Sequence, residues 1–377
     1  MVTLQRHRLK VWLFNRAMAL ANRLAALPNK LTTPPFRLIQ IGSAFWQSRA
    51  LYVAASLGLA DELGDGLRSS AELAESLSLN EDHLYRLMRM LASIGVFTEH
   101  PQCRFSNSKL SDCLRSDHPK SVRAMILLHN SPQMSQPWYE SLEPAIRNGQ
   151  TPFVLSHGAD LYAYMDAHPG FDETFSRAMN AVESLIGPGY LFDFDWSRFD
   201  RLIDVGGSQG SKALAIIKQH PRLRVLVFDR PGVITGASEY WRQQGETAVL
   251  ERMEFQSGDM LESIPAAQSN RDIYLFAAIF HGMSDEQAGV VLHNLREAVG
   301  ETGARAVIAD NVAAECGIDP TIASFDMQML VNTQGRERTE SEWRSLLDQA
   351  GFVIDEIVDV SNFAKFIVIR KKNKKGR

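Results

Sequence analysis

Cysteine is scarce in this chain, with three in 377 residues: Cys103, Cys113 and Cys316. An odd number without C-x-x-C spacing suggests neither a disulfide framework nor a zinc site, and it fits a reducing, cytoplasmic setting. No uninterrupted apolar run approaches the roughly 20 residues that a transmembrane helix needs. Internal repeats and low-complexity linkers are missing, which sets aside solenoid and fibrous architectures. No large excess of one charge sign exists either, since 40 Lys and Arg stand against 44 Asp and Glu for a formal net charge of -4. A broad nucleic-acid footprint is therefore not expected. What remains, 45% hydrophobic and 22% charged over 377 residues, is the composition of a soluble chain of two domains.

The N-terminus carries Arg6, Arg8, Lys10, Arg16 and Arg23 among Val11, Trp12, Leu13, Phe14, Met18 and Leu20. That is an interrupted amphipathic pattern rather than a signal-peptide core. It is expected to lie on the body of the protein or on a second subunit, with attachment to a membrane surface as the less favoured alternative. The basic tail from Lys371 to Arg377 reads as a solvated end.

Residues 35–185 read as mainly helical, with apolar periodicity over 45–63 and 71–91. Helices from Ser70 to Leu77 and from Asn80 to Leu87, then a short strand over 94–98, have the order of a winged helix. The second helix bears Glu81 and Asp82 against only Arg86 and Arg89, a poor surface for phosphate. From residue 200 the pattern changes to apolar strands at 201–205, 223–229, 252–256, 271–279 and 304–310, each followed by a helical or loop stretch. This predicts a doubly wound α/β domain over 186–377, preceded by a helical domain over 1–185. Two closing strands, 352–360 and 363–369, are expected as an antiparallel pair.

The strand Leu202-Ile203-Asp204-Val205 runs into Gly206-Gly207-Ser208-Gln209-Gly210, and a second strand ends at Asp229. A dinucleotide fingerprint needs glycines spaced GxGxxG. Starting at Gly206, its third and sixth positions are Ser208 and Ser211; starting at Gly207 they are Gln209 and Lys212. A pyrophosphate also seeks bare backbone donors, and Asp204 at the turn repels it. S-adenosylmethionine (SAM), with a sulfonium, an amino group and no phosphate, suits the acidic turn. Asp229 then stands where ribose hydroxyls need an acceptor.

His281 follows the apolar strand and precedes Ser284 and Gln287, a capping-box spacing that starts a helix. It should therefore sit beyond a strand's carboxyl end, where ligands bind in open α/β sheets. An imidazole titrates near neutrality and can take a proton from a phenol or enol. The alternative is a structural hydrogen-bonder.

Five ordered motifs now stand together: Asp204 to Gly210, Asp229, Gly258-Asp259-Met260, His281-Gly282-Met283-Ser284-Asp285-Glu286, and Gly335-Arg336-Glu337-Arg338-Thr339. Over most of its length the chain resembles the SAM-dependent small-molecule O-methyltransferases of plant phenolics and bacterial natural products. The resemblance implies a winged-helix dimerisation domain, a class I Rossmann-like catalytic domain, a homodimer and a small-molecule acceptor. It places Asp204, Gly206, Gly207, Gly210, Asp229, Asp259 and Met260 around SAM. His281 would be the general base flanked by Asp310 and Glu337, with Met329 and Asn332 at the substrate and no metal. Two departures stand out. Ser208 replaces a third glycine, and Gly282-Met283 replace the usual Asp-Trp. Transfer to a hydroxyl of an aromatic or polyketide-like metabolite is the expected reaction. N- or C-methylation and non-methylating use of SAM remain open on one side, and a winged-helix regulator with a ligand-sensing domain on the other.

Overall fold

The computed structural model describes residues 9–14, 16–18, 20, 24 and 31–372. Arg6, Arg8 and Arg23 of the basic N-terminal segment and residues 373–377 of the tail lie outside them. Two compact units result, one of Ala19–Gly187 and one of Pro188–Arg377 with Met1–Met18. Among the described residues no helix is long and apolar enough to cross a membrane.

In the first unit, Ser69 caps the helix Ser70–Leu77 in a full capping box with Glu72, a motif worth about 1 kcal/mol. Asn80 caps the next helix, Glu81–Ser93, by accepting from the His83 N–H. Three short strands, β1 (Arg68–Ser69), β2 (Phe97–His100) and β3 (Arg104–Asn107), form an antiparallel sheet in the order β1-β3-β2. The expected strand over 94–98 starts only at Phe97, because the helix runs to Ser93 and Gly95 turns the chain at φ +81. Leu59, Leu73, Leu84, Met88, Phe97 and Phe105 close this winged core. Arg86 pairs with Asp82, and Arg89 lies against Glu99 and the ring of Tyr85. On the long helix Pro34–Ser56, by contrast, Phe36, Leu38, Ile39 and Trp46 are exposed by 60% or more.

The second unit contains β4 (Arg201–Val205), β5 (Arg224–Asp229), β6 (Met253–Ser257), β7 (Asp272–Ala277), β8 (Arg305–Asp310), β9 (Phe352–Asp359) and β10 (Lys365–Lys371). They form one sheet in the order β6-β5-β4-β7-β8-β10-β9. The first five are parallel, while β10 runs antiparallel to both β8 and β9. Along β7, Ile273 and Leu275 enter one core and Tyr274 and Phe276 the other. β10 alternates likewise, Phe366 and Val368 against Ile367 and Ile369. Both faces of the sheet are thus buried, as a doubly wound fold requires. Because β6, β5, β4, β7 and β8 are parallel and adjacent, their carboxyl ends share one edge, and every motif singled out above on a strand end lies there.

Candidate active site

At the centre of that edge Asp204 is buried one residue before the end of β4 at Val205, and the chain turns through Gly206, Gly207 and Gly210 into the helix Ser211–Gln219. Gly207 is required by space: a Cβ there would stand 2.6 Å from Asp204 Oδ2 and 2.9 Å from Val227 Cγ1. Gly210 is required by conformation as well, since it caps the helix at φ +84. Ser208 adopts φ +53 with a side chain, the one strained residue in the loop. Its N–H donates to Asp229 Oδ2 at 2.7 Å, and Arg230 N–H donates to Oδ1 at 2.7 Å. Asp229 therefore ties the glycine loop to the end of β5, with acceptor capacity left for hydroxyl donors.

Asp259 follows β6 and accepts the Leu261 N–H at 2.8 Å in a tight Asx turn. The turn presents Met260, which packs with the apolar cluster under the sheet and whose Cε would lie 3.1 Å from a Cβ on Gly206. A glycine loop lined by carboxylates and closed by a thioether side chain fits a nucleoside carrying a cation rather than a phosphate. The residues present therefore fit SAM.

One strand over, Ala278 leaves β7 with φ +58, a non-glycine residue in the left-handed region. Such strain collects at functional sites. The chain then makes a single 3-10 turn, Phe280–Gly282, before Ser284 caps the helix Asp285–Val299 through the anticipated box with Gln287. His281 sits on this turn. Its Nδ1 lies 3.2 Å from Oε1 of Glu337, whose side chain is fully buried. Asp310, buried at the end of β8, accepts the Phe280 N–H at 3.1 Å. The structure thus brings His281, Asp310 and Glu337 together.

The electrostatics follow from this enclosure. Burial alone would push the His281 imidazolium to a lower pKa, but the charge of Asp310, then the hydrogen bond and charge of Glu337, outweigh it. The imidazole consequently stands above its ordinary value. Burial pushes the Asp310 carboxyl up to about 6, opposed by His281 and aided by Glu337. At neutral pH one imidazole nitrogen faces carboxylates that favour a proton on the ring.

The helix Pro320–Asn332 carries the two residues assigned to substrate. Asn332 is buried and donates to its own helix at Gln328 O, 2.9 Å away, with Oδ1 lacking a hydrogen-bond partner among the described residues. Met329 is half-buried. The amide of Asn332 makes no hydrogen bond to His281 among the described residues. The helix meets the site instead through residues that sequence reasoning passed over. The Phe325 ring centroid lies 5.3 Å from that of His281, and Asp326 accepts the Glu337 N–H at 2.7 Å. Arg338, also overlooked, is 1% exposed and hydrogen-bonds to the carbonyls of Phe280 and Met283. The local signal for it is the charged pentapeptide Gly335-Arg336-Glu337-Arg338-Thr339, in which the sequence assigns a role to Glu337 only.

Fold and site together define a class I Rossmann-like SAM-dependent methyltransferase behind a winged-helix dimerisation domain. Known proteins place it further: residues 138–353 match the O-methyltransferase domain and residues 39–117 the O-methyltransferase dimerisation domain. The chain is 29% identical to the phenazine O-methyltransferase PhzM of Lysobacter antibioticus over 88% of its own length and 95% of that protein. It is 31% identical to the phenazine-1-carboxylate N-methyltransferase of Pseudomonas aeruginosa, covering 88% and 96% respectively. Among solved structures, the mitomycin 7-O-methyltransferase MmcR superposes with a TM-score of 0.80 at 28% identity, over 93% of this chain and 99% of that one. The chain belongs to the SAM-dependent O-methyltransferase family, and SAM is its cofactor.

Proposed function

We propose that this enzyme methylates a hydroxyl group of an aromatic or polyketide-like metabolite, with His281 as general base. The observation that carries the reading is the pairing of His281 Nδ1 with buried Glu337 beside buried Asp310. A donor hydrogen bond from Nδ1–H to Glu337 holds the tautomer in which Nε2 has the lone pair. Nε2 then takes the acceptor's proton as its oxygen attacks. The two carboxylates stabilise the imidazolium that results, the role an acidic partner plays in other histidine bases. Bound SAM supplies a methyl group already activated on a sulfonium, so that alignment of the acceptor oxygen accounts for much of the rate. Asp229 would receive the ribose hydroxyls, and Asp259 with Met260 the adenine. Asp204 with Gly206, Gly207 and Gly210 would shape the loop around the rest. Met329 and Asn332 are assigned to the acceptor, with the buried Asn332 Oδ1 as a site for its hydroxyl.

The working form is a homodimer built on the domain matched to the O-methyltransferase dimerisation model, for which the exposed apolar face of Pro34–Ser56 supplies the surface. In the winged module, Arg86 and Arg89 are engaged by carboxylates of their own unit, which favours an enzyme over a DNA-binding regulator.

The test is turnover of methyl-labelled SAM against hydroxylated, amino-bearing and activated-carbon aromatics, read by mass spectrometry for the wild type and His281→Ala. Label on oxygen that falls by about two to four orders of magnitude in the variant supports the reading. Label on nitrogen or carbon, or turnover indifferent to the substitution, refutes it.

A further inference from the structure

We infer that Arg338 is a positioning residue that sets the loop carrying His281, with Gly335 as the backbone seat under that loop; this role rests on His281 being the base. The guanidinium is enclosed and spends its donors on one short stretch of chain. Nη1 donates to the Phe280 carbonyl at 2.8 Å and Nη2 to the Met283 carbonyl at 2.9 Å. Nε and Nη2 reach Asp285 Oδ1 at 2.9 and 2.7 Å. The two carbonyls flank His281 and Gly282 on either side, so the planar fork spans the turn from end to end. Phe280 is gripped twice, its N–H by Asp310 and its carbonyl by Arg338.

Arg338 is itself immobilised. Its guanidinium lies over the Trp343 ring at 5.3 Å, and its carbonyl accepts the Ala313 N–H at 2.9 Å beyond the end of β8. Thr339 next to it caps the helix Glu340–Gln349. Three residues upstream, a Cβ on Gly335 would fall 1.9 Å from the His281 carbonyl oxygen and 2.5 Å from the Gly282 carbonyl carbon. No side chain fits there unless the histidine turn moves. Within five residues the chain thus supports the turn from below at Gly335, pairs the ring at Glu337 and spans the carbonyls at Arg338. With glycine at 282, a residue that adds backbone freedom at the turn, the conformation must be imposed from outside, and this segment imposes it.

A lysine keeps the charge but not the fork that reaches two carbonyls and a carboxylate at once. The experiment uses the full-length enzyme with labelled histidine. The His281 imidazole resonance is assigned by its loss in His281→Ala and titrated in wild type, Arg338→Lys and Asp285→Asn. Asp285 is half-exposed, so its variant keeps the fold available should Arg338→Lys fail to fold. The brace predicts that the imidazole titration midpoint falls toward the ordinary histidine range in the variants. It also predicts a kcat lower by up to about 100-fold from misplacement of the base, while SAM affinity is kept. An imidazole whose resonance and titration are the same as in the wild type would overturn it. Should His281→Ala retain full turnover while Arg338→Lys still shifts the titration, the base assignment fails and Arg338 is left holding the turn without a catalytic role.

Discussion

His281 and Glu337, 56 residues apart in the chain, meet with Nδ1 3.2 Å from Oε1 in a pocket where the glutamate side chain is wholly shielded from water. The second oxygen of that carboxylate has no hydrogen-bond partner among the described residues. A buried carboxylate satisfied on one side only is costly, so its interaction with the ring is strong whenever the ring carries a proton. The proton that His281 takes from an acceptor would therefore be held more tightly than by a free imidazole, with measurable consequences for activity and for stability.

The consequence for activity is in the pH profile. A base with a raised pKa is protonated and idle over more of the acid range, so kcat/KM should climb through a midpoint above the ordinary imidazole value of 6.5. Glu337→Gln and Asp310→Asn each remove a charge that holds the proton and should move that acid limb to lower pH. The linkage has the matching sign. Folding raises the imidazole pKa, so this contribution to stability is whole below 6.5 and lost as pH rises through the folded value. Thermal melting of the wild type against Glu337→Gln, followed across that window, reads it directly. An acid limb unmoved in both variants would show that another group titrates.

A separate prediction concerns the cofactor. Asp229 holds two backbone N–H groups at 2.7 Å each and stands at the position proposed for ribose recognition. Asp229→Ala removes a charged acceptor whose hydrogen bonds are worth about 1.5–3 kcal/mol each. SAM binding by calorimetry should weaken by roughly 10- to 100-fold on that scale. Unaltered affinity would remove Asp229 from the cofactor site.

Local rules made the catalytic domain readable in advance, and long-range contacts hid part of the site. Continuous apolar runs such as 201–205 and 271–279 are read from neighbours in sequence, as is the box between Ser284 and Gln287, and the strands Arg201–Val205 and Asp272–Ala277 and the capped helix Asp285–Val299 follow them. Arg338 and Phe280 are 58 residues apart, and Phe325 and His281 are 44 apart. An arginine in a charged pentapeptide before a helix has the same local signature as a solvated helix entry. Only the fold distinguishes the two, by carrying the segment under the histidine turn and enclosing it. Met329 and Asn332 are assigned from the resemblance alone, while the residues through which their helix meets the site, Phe325 on the His281 ring and Asp326 on the Glu337 N–H, carry no local signal.

The dimer surface can be tested without substrate. Phe36 and Ile39 are 67% and 65% exposed on the helix Pro34–Ser56, and a stable interface buries on the order of 1,600 Å² in total. A charge at the centre of such a surface costs several kcal/mol in the assembled state and little in the free chain. Phe36→Asp with Ile39→Asp should therefore halve the mass measured by light scattering while leaving the melting of the catalytic unit unchanged. A mass equal to that of the wild type would place the interface elsewhere.

Two adjacent residues of the glycine loop should respond in opposite ways to opposite changes. At 207 the backbone conformation is open to any residue, and the obstacle is space. A Cβ would press on Asp204 Oδ2 and on Val227 Cγ1, both fixed within the sheet. Gly207→Ala is expected to cost about 1–3 kcal/mol by overpacking and to displace the carboxylate that shapes the loop, so stability and SAM affinity should fall together. At 208 the side chain fits, and the obstacle is conformation, φ +53 on a serine. Ser208→Gly relieves a strain of about 1 kcal/mol and returns a similar amount to the unfolded chain as entropy, which leaves stability near that of the wild type. Its N–H still reaches Asp229, so SAM affinity should be kept. Equal losses from both substitutions, measured by chemical denaturation and calorimetry, would mean that the loop tolerates no change in flexibility and that the packing of Gly207 on Asp204 is not what sets its shape.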